Sequence, residues 1–272
     1  MARKPSSKHL KARFILLTLL FSSITASSQE WQKVDSLVVP YKISSYAIDQ
    51  EGKIYLGSTD GDIFRYDQNG KEDKVYSGIN FSAVTIVEPW NRLKLFLFYR
   101  ENQTLVFLDR FVATATSYQL NNLGIGFGSL ATIGVDNSFW VLESGNGELR
   151  KYTNNKNLIF TTPVSMINLE QVSHIRAYQN LVILLDKING FYFFDQFGNH
   201  IASVPVKGAS YFHIFNKQII TYDGEQIFMF DPFNPSEILK IKGPVNKYLG
   251  VLKTEKHYLF IQEHRVVTFR MR

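Results

Sequence analysis

A pattern that repeats roughly every 40 residues constrains the fold of this chain more than any other feature. Each copy has an apolar strand, a short turn of Gly, Asn or Asp, a second apolar strand and a closing polar residue. The copies end at Asp67, Asp109, Thr153, Asp195, Asp231 and Arg270. The intervals between these ends are 42, 44, 42, 36 and 39 residues, which is the period of a propeller blade, about 40 to 50 residues.

A further strand precedes each copy and is predicted to be the innermost strand of its blade. These segments begin at Ser45, Ser82, Ser129, Ser173, Ser210 and Tyr248. The first five copies are followed by a turn and a fourth strand, whereas the sixth stops at the C-terminus. The unused segment from Trp31 to Val39 alternates apolar residues and can supply the missing strand. The sequence therefore predicts an all-β, six-bladed β-propeller whose last blade is closed by the N-terminal strand.

A β-sandwich or β-barrel is the rival interpretation, because evenly spaced short strands fit those folds too. The repeat length and the missing sixth-blade strand favour the propeller. No helical periodicity of useful length follows residue 28, which argues against an α/β enzyme fold. The chain has 22 Phe, 14 Tyr and 3 Trp residues, and packing between blades is the expected role of most of them.

The N-terminus has the order of a secretory signal: basic residues, an apolar run from Phe14 to Ile24, then small residues. This run is shorter than the roughly 20 residues that a transmembrane helix needs. We therefore expect a signal peptide over residues 1–28 and a single propeller domain over residues 29–272. The mature chain would begin near Gln29, or at Ser27, without a transmembrane segment. An uncleaved membrane anchor is the alternative.

Charge and cysteine content exclude several functions. The formal net charge of +6 includes five Lys or Arg and no acid within residues 1–28, so the remainder carries only +1. Without a basic face, nucleic-acid binding is not expected. The chain has no cysteine, which excludes disulfides, thiolate metal sites and a cysteine nucleophile. We predict no cofactor and no metal site.

The segment IYLGSTDGDIFRYDQNGK, from Ile54 to Lys71, resembles a blade of the NHL and PQQ-like β-propeller repeats. The resemblance implies a binding platform of the bacterial cell envelope, and some such propellers serve outer-membrane assembly or protein secretion machinery. The implied partner is another envelope protein or complex, met in the periplasm or at the periplasmic face of the outer membrane. Quinone-dependent dehydrogenases of this kind need more blades, which argues against that activity. The resembling positions are structural, so they identify no functional residues.

Polar residues on the predicted inner strands are candidates to line the central channel. Thr85, Thr132, Arg176 and His213 share one register when counted from each opening serine, and His174 lies on the same strand as Arg176. Equal register on successive inner strands predicts a polar ring. Arg176 would supply a fixed charge, and His213 a group that titrates near neutral pH. Solvated channel residues without a ligand are the simpler interpretation, and two histidines do not complete a metal site.

No motif indicates catalysis. The glycines of Gly124–Gly128 are followed by a strand pattern, whereas a phosphate-binding loop leads into a helix. Spacing pairs none of the acids Asp49, Glu88, Asp136 and Glu143 as glycoside hydrolysis requires. No nucleophile-elbow sequence marks a serine. We therefore predict a protein that is not an enzyme.

Two functional hypotheses follow. The first is a protein-interaction scaffold whose exposed loop aromatics contact the partner, with Trp90, Phe127, Phe197 and Phe233 as candidates. The alternative is a glycan-binding protein or carbohydrate-active enzyme that uses the channel mouth, which carboxylates converging there would support. The sequence leaves open the partner, the binding face and the oligomeric state.

Overall fold

The structure, a computed structural model, describes residues 30–78, 80–91, 94–109, 111–113 and 115–272, without the side chains of Trp90 and Asn91. In this part of the chain, six four-stranded antiparallel sheets form a six-bladed β-propeller that spans Trp31–Met271. The predicted fold class is confirmed. The predicted signal peptide lies outside the described residues.

The strands follow one another outward from the channel in each of the first five blades. Blade 1 contains β2 (Ile43–Ile48), β3 (Ile54–Ser58), β4 (Ile63–Tyr66) and β5 (Glu72–Tyr76). Blade 2 contains β6 (Ile86–Asn91), β7 (Lys94–Tyr99), β8 (Thr104–Asp109) and β9 (Ala115–Gln119). Blade 3 contains β10 (Gly128–Ile133), β11 (Phe139–Glu143), β12 (Glu148–Tyr152) and β13 (Leu158–Pro163).

The remaining blades continue this arrangement. Blade 4 contains β14 (Val172–Tyr178), β15 (Leu181–Asp186), β16 (Gly190–Asp195) and β17 (His200–Val204). Blade 5 contains β18 (Phe212–Phe215), β19 (Gln218–Tyr222), β20 (Gln226–Asp231) and β21 (Asn234–Lys242). Blade 6 contains β22 (Gly250–Lys253), β23 (Tyr258–Gln262), β24 (Arg265–Met271) and β1 (Trp31–Val38). Short 3-10 helices occupy Leu120–Leu123 and Leu169–Gln171.

The N-terminal strand closes the ring as predicted. β1 pairs antiparallel with β24, from Trp31 opposite Met271 to Val38 opposite Arg265. The Trp31 indole Nε1 donates a hydrogen bond to the Lys242 carbonyl of blade 5 at 2.8 Å. Its ring packs edge-on against Tyr258 at a centroid distance of 5.1 Å. Closure therefore combines backbone pairing in blade 6 with an aromatic anchor that reaches blade 5.

The polar residue that ends each of the first five repeats lies at the start of the turn between the third and fourth strands. The Asp67 carboxylate accepts hydrogen bonds from the amides of Asn69 and Lys71, both at 2.9 Å. Asp109 and Asp195 each accept the corresponding pair of amide hydrogen bonds in their blades. A short side chain that accepts from its own backbone favours such a turn. This requirement explains why aspartate recurs at the end of the repeat.

The inner strand of blade 2 begins furthest from its predicted start. The second blade was expected to open at Ser82, but β6 begins at Ile86. The Ser82 amide instead donates to the side-chain oxygen of Asn102 at 2.8 Å, which holds this segment as a loop. The polar positions of blade 2 are consequently displaced relative to those of its neighbours.

Aromatic and aliphatic side chains fill the spaces between and within the sheets, and Phe96, Phe191 and Phe230 are fully buried. Phe191 of blade 4 packs edge-on against Phe230 of blade 5 at 5.3 Å. No helix in the described residues is both long and apolar enough to span a membrane.

Candidate functional site

The central channel opens into a cavity at one end of the ring. The turns between first and second strands line this cavity. Because neighbouring strands of a blade run in opposite directions, the turns between third and fourth strands lie at the same end of the ring. We call this end the mouth face. The cavity has a volume of about 1060 Å³. Blades 1, 4, 5 and 6 supply most of its lining, whereas Val87, Pro89 and Val135 are the described lining residues of blades 2 and 3. The opening is therefore displaced from the ring axis.

A buried polar network closes the channel on the side of blades 2, 3 and 4. Glu88 on β6 is 1% exposed, and its Oε1 accepts a hydrogen bond from the Thr132 hydroxyl at 2.7 Å. The same hydroxyl accepts from the Ala177 amide at 2.9 Å. Arg176 lies 3.6 Å from Glu88 Oε2. These contacts tie the three inner strands together, and we call the four residues the closed-side network.

Two of the predicted ring residues, Thr132 and Arg176, thus meet in one network, but Thr85 lies elsewhere. The Thr85 hydroxyl accepts a hydrogen bond from the Arg100 amide at 3.1 Å. Glu88, three residues further along, faces Thr132 instead. The register count from the opening serine therefore does not carry over to blade 2, because Ser82 belongs to a loop. The signal that could have identified Glu88 is an acid within a strand of otherwise apolar character.

The two channel histidines lie on the open side, in the cavity lining, and each is 8% exposed. His174 packs against Tyr211 at 4.7 Å and edge-on against Phe212 at 5.0 Å. Burial lowers the pKa of His174 and of His213 to about 3, and the charge of Arg176 contributes to both shifts. His213 was expected to titrate near neutral pH. In the folded protein, the His213 ring is instead uncharged near neutral pH, because burial disfavours the imidazolium.

His213 has a defined hydrogen-bonding state. Its Nε2 accepts a hydrogen bond from the Lys253 amide at 3.0 Å, so the proton of the neutral ring resides on Nδ1. The Nδ1 atom is buried and has no hydrogen-bond partner in the described part of the chain. A buried donor without an acceptor is unfavourable, and native structures contain few of them. The Nδ1–H group of His213 is therefore a buried donor that the described residues do not satisfy.

A phenol and a lysine line the same cavity. Burial raises the pKa of Tyr211, so its hydroxyl stays protonated. Burial lowers the pKa of Lys253, whose Nζ lies 5.0 Å from the Phe215 ring centroid and 4.7 Å from that of Tyr258. We call Arg176, Tyr211, His213 and Lys253, from blades 4, 5 and 6, the floor donors.

Three acids on the mouth face each have a hydrogen-bond or ion-pair partner. Asp49 Oδ1 accepts from two amides of its own turn, and its Oδ2 accepts from the Tyr55 hydroxyl at 3.2 Å. Glu51 pairs with Lys53 at 3.1 Å. Glu255 accepts a hydrogen bond from Asn216 at 3.2 Å. These contacts stabilise the turns in which the acids lie.

The other two acids considered in the sequence, Asp136 and Glu143, also have local partners. Asp136 accepts a hydrogen bond from the Ser138 amide at 3.0 Å. Glu143 accepts from the Gly126 amide at 2.8 Å and pairs with Arg150 at 2.6 Å. Within the described residues, no group of three or more His, Cys, Asp or Glu side chains is placed to hold a metal ion.

Three exposed phenylalanines lie on the mouth face, in turns outside the cavity lining. Phe111, Phe197 and Phe233 occupy the same position of the turn between third and fourth strands in blades 2, 4 and 5, and are 56%, 65% and 48% exposed. The amide of each donates to the aspartate two residues earlier, at 3.0, 2.8 and 2.8 Å respectively. The turn chemistry thus holds three aromatic side chains outward on one face, and we call them the mouth phenylalanines.

The remaining aromatic candidates lie elsewhere. Phe127 is 42% exposed in the loop before β10, at the opposite end of the ring. Its loop is held by the Gly126 hydrogen bond to Glu143 and by the Gly128 amide, which donates to the Gln103 side chain at 2.7 Å. A strand, β10, follows this glycine-rich loop directly. The side chain of Trp90 is outside the described residues.

Comparisons with solved structures find other β-propellers. The Neurospora crassa Pan2 WD40 domain matches with a TM-score of 0.60 and 10% identity, over 90% of this chain and 96% of that one. The virginiamycin B lyase from Staphylococcus aureus matches with a TM-score of 0.59 and 13% identity, over 89% and 99%. A streptogramin B lyase matches with a TM-score of 0.60 and 14% identity, over 89% and 98%.

These identities are low, so the likeness shows the fold alone. No family model matches the sequence, and no curated protein matches it. Domains with the same architecture include both a WD40 module and lyases, so the fold does not select a function. The chain is a β-propeller whose function depends on its own surface and channel residues.

Proposed function

We propose that this chain is a non-enzymatic protein-interaction scaffold that binds its partner through the mouth face. The observation that carries the proposal is the set of mouth phenylalanines, exposed at equivalent turns on one face. Aromatic residues are enriched in protein interfaces. Each of these side chains is about half exposed, so its burial by a partner contributes about 1 kcal/mol of binding free energy.

The turns that carry the mouth phenylalanines are ordered before binding. Each amide hydrogen bond to the preceding aspartate restricts the backbone at the aromatic residue. Ordering a loop on binding costs free energy, so a turn that is already ordered retains more of the contact energy. The β-propeller is moreover a common scaffold for protein interactions.

We further propose that the scaffold works in the bacterial cell envelope, in the periplasm or at the periplasmic face of the outer membrane. The predicted signal peptide and the resemblance of Ile54–Lys71 to NHL and PQQ-like blades support this location. A role as an accessory subunit of outer-membrane assembly or secretion machinery is consistent with both. The absence of cysteine makes folding of the exported chain independent of disulfide formation.

The non-enzymatic part of the proposal is supported by the state of the carboxylates. Asp49 and Asp136 accept hydrogen bonds within their own turns, and Glu143 pairs with Arg150. Glu88 belongs to the closed-side network. No observation favours a glycosidase, which needs two carboxyl groups that face each other across the scissile bond.

Affinity purification with a matched control tests the scaffold proposal. The chain has no cysteine, so a single Val245→Cys substitution, at a residue that is 98% exposed and lies opposite the mouth, allows immobilisation with the mouth face free. Detergent-solubilised envelope from the source organism is passed over the immobilised protein. Bound proteins are identified by mass spectrometry.

The test variant is Phe111→Ser, Phe197→Ser and Phe233→Ser combined. The control is Asn69→Ser with Asn155→Ser, at the equivalent turn positions of blades 1 and 3. We expect a stoichiometric partner with the control protein and its loss with the test variant. Equal recovery by both proteins, or no stoichiometric partner with either, would contradict the proposal.

A further inference from the structure

The floor donors share a chemical property that the scaffold proposal does not use. Arg176 lies on β14, Tyr211 immediately precedes β18, His213 lies on β18 and Lys253 ends β22. All four line the same cavity. Two carry a positive charge, and the other two offer N–H or O–H groups. Three neighbouring blades therefore contribute hydrogen-bond donors to the lining of one cavity.

Among the floor donors, the buried Nδ1 of His213 has no acceptor in the described residues, whereas Arg176 pairs with Glu88 and the Lys253 Nζ donates to the Thr254 carbonyl at 3.2 Å. The proton position of His213 follows from the hydrogen bond that Nε2 receives from Lys253. Tyr211, which also lines the cavity, makes no side-chain hydrogen bond to the described residues. A buried donor without an acceptor is unfavourable, so an acceptor supplied by a ligand would satisfy the Nδ1 proton of His213.

The local charge favours an anionic acceptor. Arg176 and Lys253 both lower the pKa of His213, which shows that their positive potential acts at its ring. Glu88 lies behind Arg176, bonded to Thr132, and is not part of the cavity lining. The acids of the lining belong to the rim instead: Asp35 on β1, Asp49 and Glu51 in the first turn of blade 1, and Glu255 beside Asn216.

We propose that the floor donors bind a carboxylate group of a ligand that enters from the mouth face. Carboxylates accept two or more hydrogen bonds and pair strongly with guanidinium and ammonium groups. The cavity has a volume of about 1060 Å³, which is larger than a small organic acid and large enough for the end of a peptide chain. A free organic acid and the C-terminal carboxylate of a partner are the two sources of this group.

Two kinds of probe separate these sources. Succinate represents a small organic acid, and the acetylated tetrapeptide Ac-Ala-Ala-Ala-Ala with a free carboxylate represents a chain end. The same peptide as its amide is the control. Purified protein labelled with ¹⁵N-histidine is titrated with each probe, and the resonance of the His213 Nδ1 proton is followed together with calorimetric binding.

We expect succinate or the free-acid peptide to shift the Nδ1 resonance of His213 to lower field, and the amide to leave it unchanged. A stronger response to the peptide would assign the site to a chain end, and a stronger response to succinate to an organic acid. No shift with either carboxylate, or the same shift with the amide, would overturn the proposal.

Variants test the assignment to these residues. Tyr211→Phe removes one donor, and Glu88→Gln combined with Arg176→Gln removes the guanidinium without leaving a buried carboxylate unpaired. We expect the double variant to weaken carboxylate binding about tenfold or more. The control is Lys256→Gln, because this exposed lysine lines the rim but is not a floor donor.

Equal weakening by Lys256→Gln would indicate general charge attraction and overturn the proposal. Circular dichroism establishes that each variant is folded, and Tyr211→Phe supplies the test if the double variant is not. The titration needs no partner protein, and the mouth phenylalanines lie outside the floor. Failure of carboxylate binding would therefore be distinguishable from failure of the scaffold proposal.

Discussion

The two sides of the central channel satisfy their polar groups differently. On the closed side, the buried Thr132 hydroxyl donates to Glu88 and accepts from the Ala177 amide, and Arg176, whose side chain is 17% exposed, pairs with Glu88. On the open side, the Nδ1 atom of His213 is buried without a described partner. Buried polar groups stabilise a fold when they are paired and leave capacity for a ligand when they are not. Arg176 belongs to both parts of the channel, because it pairs with Glu88 and also lines the cavity.

The largest expected effect is the loss of the closed-side carboxylate. Glu88→Ala leaves Arg176 without its buried partner and the Thr132 hydroxyl without its acceptor. We expect a decrease of about 3–5 kcal/mol in the free energy of unfolding, measured by urea denaturation. The control is Glu263→Ala, whose exposed ion pair with Lys42 should contribute little to the free energy of unfolding. Similar losses in both variants would show that the closed side is not a structural network.

The second prediction concerns pH and the open side. His174 and His213 have folded pKa values of about 3, against 6.5 when unfolded. The unfolded state thus binds more protons between these values, and the free energy of unfolding falls as pH decreases below about 6.5. At pH 5.5 we expect a loss of about 1–2 kcal/mol per histidine relative to pH 8.

Urea denaturation at pH 8 and pH 5.5 measures this loss. Replacement of both histidines by Gln should remove most of the difference between the two pH values. His200→Gln, in the exposed outer strand of blade 4, is the control and should leave it unchanged. An unchanged pH dependence in the double variant would mean that the buried histidines are not its source.

A third, smaller effect isolates one hydroxyl of the closed side. Thr132→Val preserves the side-chain shape but removes the donor to Glu88 and the acceptor for the Ala177 amide. We expect a loss of about 2 kcal/mol in the free energy of unfolding, because both groups remain buried without this partner. Thermal denaturation provides the measurement. An unchanged free energy of unfolding would mean that water or another group replaces the Thr132 hydroxyl as partner of Glu88 and the Ala177 amide.

The smallest effect is expected from the matching change on the open side. Tyr211→Phe removes a hydroxyl that bonds none of the described residues, so stability should change by less than about 0.5 kcal/mol. Tyr99→Phe, whose buried hydroxyl donates to the Gly61 carbonyl at 2.9 Å, is the comparison and should lose about 1 kcal/mol. If Tyr211→Phe is the more damaging change, its hydroxyl has a structural role and is not available to a ligand.

The repeat and its ending were sufficient to predict the blade number and the closure of the ring. Each blade is a local antiparallel meander, so strand order follows sequence order and the spacing of Asp67, Asp109 and their equivalents reports it directly. The missing fourth strand of the last repeat left the segment from Trp31 to Val39 as the natural complement, and β1 (Trp31–Val38) occupies that place. The signal peptide over residues 1–28 remains a prediction.

The site required the tertiary structure. Register between inner strands of different blades depends on where each loop ends, so Thr85 was placed in the ring where Glu88 belongs. The burial that keeps His213 neutral comes from residues on other blades, and no local pattern encodes it. Exposed aromatics could be proposed from loop sequences, but only the direction of the strands separates Phe197 and Phe233 from Phe127. Local periodicity thus determined the architecture, whereas packing between distant blades decided which polar groups are paired and which are left for a ligand.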